Sequence, residues 1–227
     1  MGGSSDTQRA ARTFVEALVG EMEDLFTRLG EQEILEAETE GRLEVVPLLK
    51  LAMASELEAS ELAGYWMPGT RELDAKMLFA EQCGDEMKHY RLIARRLEEL
   101  GESLDDFDAL ADGYSPLYQY QKGLRTTIER VASGVFASEA IAAVRNRQFM
   151  ELCRRTGDEG TYQLYATRIA PEEVHHRDLG RAFLERHATT PELRELATAA
   201  TRNTLAIADE LRTLTQKATG LGPIPLS

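Results

Sequence analysis

The chain has 227 residues, 43% of them hydrophobic, and a formal net charge of −13. That length suffices for one sizeable core, and the charge argues against nucleic acid or an anionic membrane surface as partner. Its two cysteines, Cys83 and Cys153, are too few for a disulfide framework and are expected to be small, mostly buried helix residues.

Along the chain, residues 1–5 read as a disordered start. Residues 7–29 form an amphipathic helix closed by Gly30, and 32–40 a short acidic helix ending near Gly41. A helix over about 43–66 stops at Pro68-Gly69, and a long one over about 71–100 ends at Gly101. Residues 102–115 are a loop. One very long helix is predicted over 117–156, ending at Gly157 and Gly160. Another follows over 161–187, and Pro191 starts the last, over 191–219, before a Pro-containing extended tail at 220–227. No segment shows the alternation of a strand. The expectation is a single all-α domain, 1–227, with a four-helix bundle at about 43–187. Helices within 6–41 and 191–219 pack on that bundle, and the loop at 102–116 separates its two hairpins. No signal peptide opens the chain and no apolar run reaches the roughly 18 residues of a membrane span. A reducing cytoplasm is therefore expected.

Three of the four histidines fall in two copies of one pattern, Asp85-Glu86-Met87-Lys88-His89 and Glu172-Glu173-Val174-His175-His176. Helix positions i and i+3 share a face, so Glu and His at that spacing can grip one ion. Two such pairs on facing helices, plus one carboxylate from each of two others, make a binuclear carboxylate site. A lone E-x-x-H arises by chance; two, correctly placed among four helices, do not.

The apolar stripes identify the remaining ligands. In the 43–66 helix the stripe reads Val45, Leu49, Ala52, Glu56, Ala59, Ala63, while Glu58 and Glu61 point away, toward water. In the next helix it reads Phe79, Cys83, Glu86, Tyr90, Ile93, Leu97, with His89 beside it. In the third it reads Ile128, Ala132, Val135, Glu139, Ala142, Asn146, Phe149. Three glutamates thus take slots that packing would give to leucine. Each buried carboxylate costs several kcal/mol unless a cation or proton compensates it. In the fourth helix His176 lies near the stripe centre and His175 about 90° off, whereas Glu172 is nearer the centre than Glu173. The repeated acid-Glu order selects Glu173 and His176. The six expected ligands, and the groups expected to do the chemistry, are Glu56, Glu86, His89, Glu139, Glu173 and His176. Ligand histidines usually donate their outer N–H to a carboxylate, and across an antiparallel pair Asp85 can reach His176 while Glu172 reaches His89. Pro171 cannot donate to the carbonyl of Thr167, so the fourth helix should kink or widen just before its ligands. His187, near a helix end, is expected to offset the dipole.

These residues resemble the bacterial di-iron carboxylate superfamily with the ferritin-like fold, over about residues 43–187. Within it, Tyr65-Trp66-Met67-Pro68, the run from Phe79 to Gly101, Ala54-Ser55-Glu56, Glu139 and Glu172-Glu173-x-x-His176 are similar to the phenylacetic acid catabolism family. The likeness is to the catalytic subunit of its phenylacetyl-CoA epoxidase. Gaps of 30 residues from Glu56 to Glu86 and 34 from Glu139 to Glu173 also resemble the wider class of bacterial multicomponent monooxygenases. Two departures stand out: that subunit has Asp where this chain has Glu139, and lysine where it has Gln82, which counts against a CoA thioester. Ile93 stands at the place of the redox tyrosine of radical-generating relatives, which counts against a radical carrier.

The resemblance implies two resident iron ions (with manganese or a mixed pair as variants), O2, a reductase that donates electrons, and a small, mostly apolar substrate to be hydroxylated or epoxidised. Stripe alanines such as Ala52, Ala132 and Ala142 would leave it room. A homodimer is compatible with this reading. The alternatives are a ferritin-like iron-handling protein, acting as ferroxidase or peroxide scavenger, and a non-catalytic interaction subunit.

Overall fold

The computed structural model describes the backbone of residues 2–29 and 44–219, and the side chains of residues 6–27 and 44–210. The acidic helix expected at 32–40 and the tail at 220–227 lie outside the described residues. Seven helices are described, without a strand among them: α1 (Gly2–Leu29), α2 (Val45–Trp66), α3 (Leu73–Glu99), α4 (Pro116–Lys122), α5 (residues 127–156), α6 (residues 159–187) and α7 (Pro191–Thr219). No described helix is long and apolar enough to cross a membrane.

Two expectations are corrected. Helix α1 begins at Gly2, so the start expected to be disordered joins it. Once a helix is nucleated, adding residues costs little, and an Asp6–Arg9 pair at 3.1 Å braces the early turns. The single helix expected over 117–156 is two. After Lys122 the chain turns at Gly123, and Thr126 starts α5 with a capping box. The Thr126 side chain accepts from the Glu129 backbone N–H, and the Glu129 carboxylate accepts from the Thr126 backbone N–H at 2.8 Å.

Helices α2 and α3 form one antiparallel hairpin. Trp66 and Phe79 meet at its closed end, with ring centroids 5.3 Å apart, and Lys50 reaches Glu102 at the other. Helices α5 and α6 form the second, linked through Gly157 in the left-handed conformation and the Asp158 N-cap. Across the bundle α3 runs antiparallel to α6. Asp74 pairs with His187 at 2.7 Å, while Arg96 bonds Asp158 at 2.8 Å and Thr161 at 2.9 Å. Helices α1 and α7 flank the second hairpin. Gln8 donates to the carbonyl of Glu185, and Ser133 of α5 meets Thr204 of α7 at 2.6 Å.

Both α5 and α6 contain a π-helical turn, at Val131–Ala137 and Tyr165–Ile169. The second is the widening expected ahead of Pro171. The first carries no proline. It contains Gly134, where a Cβ would stand 2.5 Å from Trp66, so the largest buried ring packs on bare backbone.

The apolar core is divided. One cluster gathers Trp66, Phe79, Val135, Phe136, Phe183 and Leu184 with partners from α1 and α7. The other gathers Leu49, Met53, Ile93, Leu97, Phe149, Tyr165 and Ile169. Buried large side chains contribute about 1.5–3 kcal/mol each, so a gap between the clusters has a cost. Polar groups fill it.

Candidate metal centre

Along each bundle helix the chain leaves one apolar cluster, presents charged residues, and enters the other. Helix α2 passes from Met53 through Glu56 to Leu62, and α3 from Phe79 through Glu86 and His89 to Ile93. Helix α6 passes from Ile169 through Glu173 and His176 to Phe183. Glu139 enters from α5 directly after its π turn. Glu86, Glu139, Glu173 and the two histidines are buried, and Glu56 retains 12% exposure of its side chain.

The six expected ligands converge in two overlapping groups. Glu56, Glu86, His89 and Glu173 offer ligand atoms within 4.8 Å of one another, and so do Glu86, Glu139, Glu173 and His176. Glu86 and Glu173 belong to both groups, whereas Glu56 and Glu139 each belong to one. Two shared carboxylates with one private carboxylate and one histidine per side is the arrangement of a pair of adjacent ion sites. Glu86 shows the division atom by atom: its Oε2 lies 3.1 Å from His89 Nδ1, and its Oε1 lies 3.3 Å from His176 Nδ1.

Several of these atoms have no partner. Glu86 Oε1, Glu139 Oε2 and His176 Nδ1 are buried without a hydrogen bond, and the first and last face each other. Leaving one such group unsatisfied costs about 1–3 kcal/mol, more if charged. Atoms that converge without bonding one another suit a cation between them. The four glutamates carry the negative charge that two divalent ions balance.

Electrostatics point the same way. Burial, then the charges of neighbouring carboxylates, pushes Glu56 and Glu139 well above the usual carboxylate range. Glu86 moves the other way, because its bonds with His176 and His89 outweigh its burial. Burial disfavours a charged His89, but Glu173, Glu56 and Glu86 outweigh this and hold it protonated; His176 is raised likewise, chiefly by Glu86. Without a cation the cluster balances its charge with protons. Metal ions would displace them.

The outer carboxylates stand where the antiparallel geometry placed them. His89 Nε2 lies 2.9 Å from Glu172, and His176 Nε2 lies 3.3 Å from Asp85. Each histidine thus turns Nδ1 inward and donates Nε2–H outward, which fixes its tautomer. Lys88 joins the two outer acids, at 3.1 Å from Asp85 and 2.7 Å from Glu172. His175 lies outside the cluster and pairs with Glu81 at 3.0 Å.

Three features refine the sequence reading. Glu58 does not simply face water; it accepts from the Ser115 N–H and hydroxyl, holding the end of the crossover loop, while Glu61 accepts from Tyr114 at 2.7 Å. His187 does more than offset a helix dipole, since Asp74 holds it. Ala132 is fully buried in the first apolar cluster and Ala52 packs on the second, so both serve packing. A cavity of about 430 Å³ lies elsewhere, lined by Glu21, Asp24, Leu25, Arg202, Leu205 and neighbours, none of them a ligand.

A family model for the ferritin-like domain matches residues 62–189, more than half of the chain. The chain belongs to the ferritin-like family. No curated protein and no solved structure matches it. The matched segment of this ferritin-like protein holds five of the six converging ligands. Glu56 lies ahead of it and is placed by geometry alone. Family and buried cluster together fit a di-iron protein.

Proposed function

We propose that this protein is an O2-activating di-iron oxygenase that hydroxylates or epoxidises a small, mostly apolar substrate, fed with electrons by a partner reductase. The observation that carries this reading is the near symmetry of the cluster. Each half-site has its own histidine, and each histidine has its own outer carboxylate. Such outer partners raise metal affinity about 10–100-fold, which suits a resident ion pair better than iron in transit to a mineral. The likeness to multicomponent monooxygenases supports the same reading. Manganese, or one ion of each kind, fits the same oxygen and imidazole donors.

When bound, two iron ions supply reductive O2 activation. The chain's own residues hold them. Glu86 and Glu173 would span both ions, Glu56 and Glu139 would each serve one, and His89 and His176 would bind through Nδ1. Asp85 and Glu172 keep the Nε2 protons in place. The two apolar clusters above and below exclude water from the layer, which strengthens each charge interaction within it.

The test is to load the protein with Fe2+ anaerobically, reduce it, and expose it to 18O2 with a panel of small alkenes and aromatics. The expected result is O2 consumption with 18O in an organic product. O2 left untouched defeats the proposal. Rapid oxidation that ends in ferric mineral, with no oxygen transferred, replaces it with an iron-handling role.

A further inference from the structure

The two half-sites match in ligand type but not in how their private carboxylates are held. Glu139 is gripped from behind. The side-chain amide of Gln82 donates to its Oε1 at 2.6 Å, and both residues are almost fully buried. Its other oxygen, Oε2, is buried with no partner and faces the cluster. Glu56 is held differently: its Oε2 rests 3.4 Å from the Nδ1 of His89, itself a ligand atom, and it sits at the partly exposed edge of the layer.

We propose that Gln82 is a positioning residue that fixes Glu139 as a one-oxygen ligand, making the Glu139/His176 half-site preorganised and the Glu56/His89 half-site adaptable. The physical argument starts from the amide. A side-chain amide is a neutral donor that does not titrate and cannot take the place of a metal ion. A short bond to a carboxylate oxygen is about twice as strong as one between neutral groups. It therefore consumes one oxygen of Glu139 in the stripped and loaded states alike, and aims the other. The Gln82 backbone lies one helical turn before Glu86, on the same face of α3, so the residue that aims Glu139 is rigidly tied to the shared ligand. Glu56 has to leave His89 Nδ1 before both can bind an ion. The first ion then enters the Glu139/His176 side, and carboxylate rearrangement is confined to the Glu56 side.

This inference rests on the presence of a metal centre but not on the oxygenase reading, and its test needs no O2. Metal-stripped protein is titrated with Co2+, and visible absorption follows each binding step. Wild-type protein should bind in two steps. Glu56→Ala isolates the preorganised side and Glu139→Ala the adaptable side. Gln82→Leu, which keeps the volume and removes the donor, should weaken the step that survives in Glu56→Ala by about 10–100-fold. It should leave the step that survives in Glu139→Ala within about twofold, and Gln82→Asn should restore less than half of the loss because its shorter arm falls short of Glu139. Equal weakening of both steps, or none, overturns the role of Gln82 while leaving the metal centre standing. Failure of the wild-type protein to bind Co2+, Mn2+ or Fe2+ at all overturns both this inference and the proposed function. Thermal unfolding of the stripped variants identifies any that fail to fold; a Gln82→Leu protein that cannot fold is replaced by Gln82→Met, judged by the same two steps.

Discussion

The two hairpins present nearly the same ligands on different backbones. Helices α2 and α3 are regular from end to end and deliver Glu56, Glu86 and His89 from continuous α-helical stripes. Helices α5 and α6 each pass through a π turn before delivering Glu139 or Glu173 and His176. The regular hairpin obtains its ligand geometry from sequence period alone. The second inserts an extra residue in each helix and so re-aims the ligands beyond it, as π turns near functional sites commonly do. Its neighbours exploit the widening: Trp66 packs on Gly134, and a Cβ on Gly180 of α6 would come within 3.1 Å of the Val135–Phe136 backbone. The hairpins therefore approach one another most closely where helical regularity is given up.

The largest expected effect removes that comparison altogether. Glu86 serves both half-sites, so Glu86→Ala should lose most of the bound metal, measured by elemental analysis after iron loading. Glu58→Ala, on the opposite face of α2, should keep its metal and lose only about 1–3 kcal/mol from the loop-end bonds to Ser115. Equal metal content in the two variants would show that the layer does not hold ions.

A second effect bears on the residues that precede each histidine. Lys88 braces both outer acids, while His175 at the matching position reaches only Glu81. Lys88→Met should speed metal release to a chelator by about tenfold through both histidines. His175→Ala should leave the rate unchanged. A variant pair with matching rates would make the two turns equivalent.

The smallest effect is a dependence on pH. Glu56 and Glu139 have folded pKa values raised above 4.5, so the folded, metal-free chain binds more protons than the unfolded one as pH rises past that value. Stability present below about pH 4.5 is therefore lost on going toward neutral pH, and the raised His89 and His176 add to the loss above about 6.5. The lowered Glu86 acts in the opposite sense, only in strong acid. Stripped protein should melt lower at about pH 8 than at about pH 5.5, and the gap between loaded and stripped melting temperatures should widen with pH. A gap constant across that range would mean that the carboxylates do not exchange protons for metal.

Much of this was legible in the sequence because helix period is a strong signal. Glutamates in leucine slots located Glu56, Glu86 and Glu139, and the repeated acid-Glu order chose Glu173 over Glu172, where stripe angles favoured neither strongly. Proline chemistry located the π turn before Ala170. The π turn at Val131–Ala137 escaped because its cause lies elsewhere in the chain: Trp66 needs bare backbone at Gly134, and Ser133 is drawn to Gln121 and Thr204. The break at 123–126 was masked by apolar period continuing on both sides of it. Gln82 appeared only as a departure from a pattern, since a stripe shows that a side chain is buried but not which carboxylate it meets across 57 residues.

The anchoring of α6 has a consequence for how this chain tolerates changes in length. Arg96 fixes Asp158 and Thr161 at the start of the helix, lying against Gly160 so closely that a Cβ there would stand 2.6 Å from its guanidinium carbon. Glu173 and His176 hang from that fixed point through the π turn. Deleting one residue between them would restore an ordinary helix but rotate both ligands by about 100° and lower them by about 1.5 Å. His176 would swing off the cluster while every apolar contact before the deletion survived. The π turn thus works as a phase shift in the chain, and this stretch of α6 is closed to single-residue insertions and deletions even though the loops on either side of the bundle remain open to them.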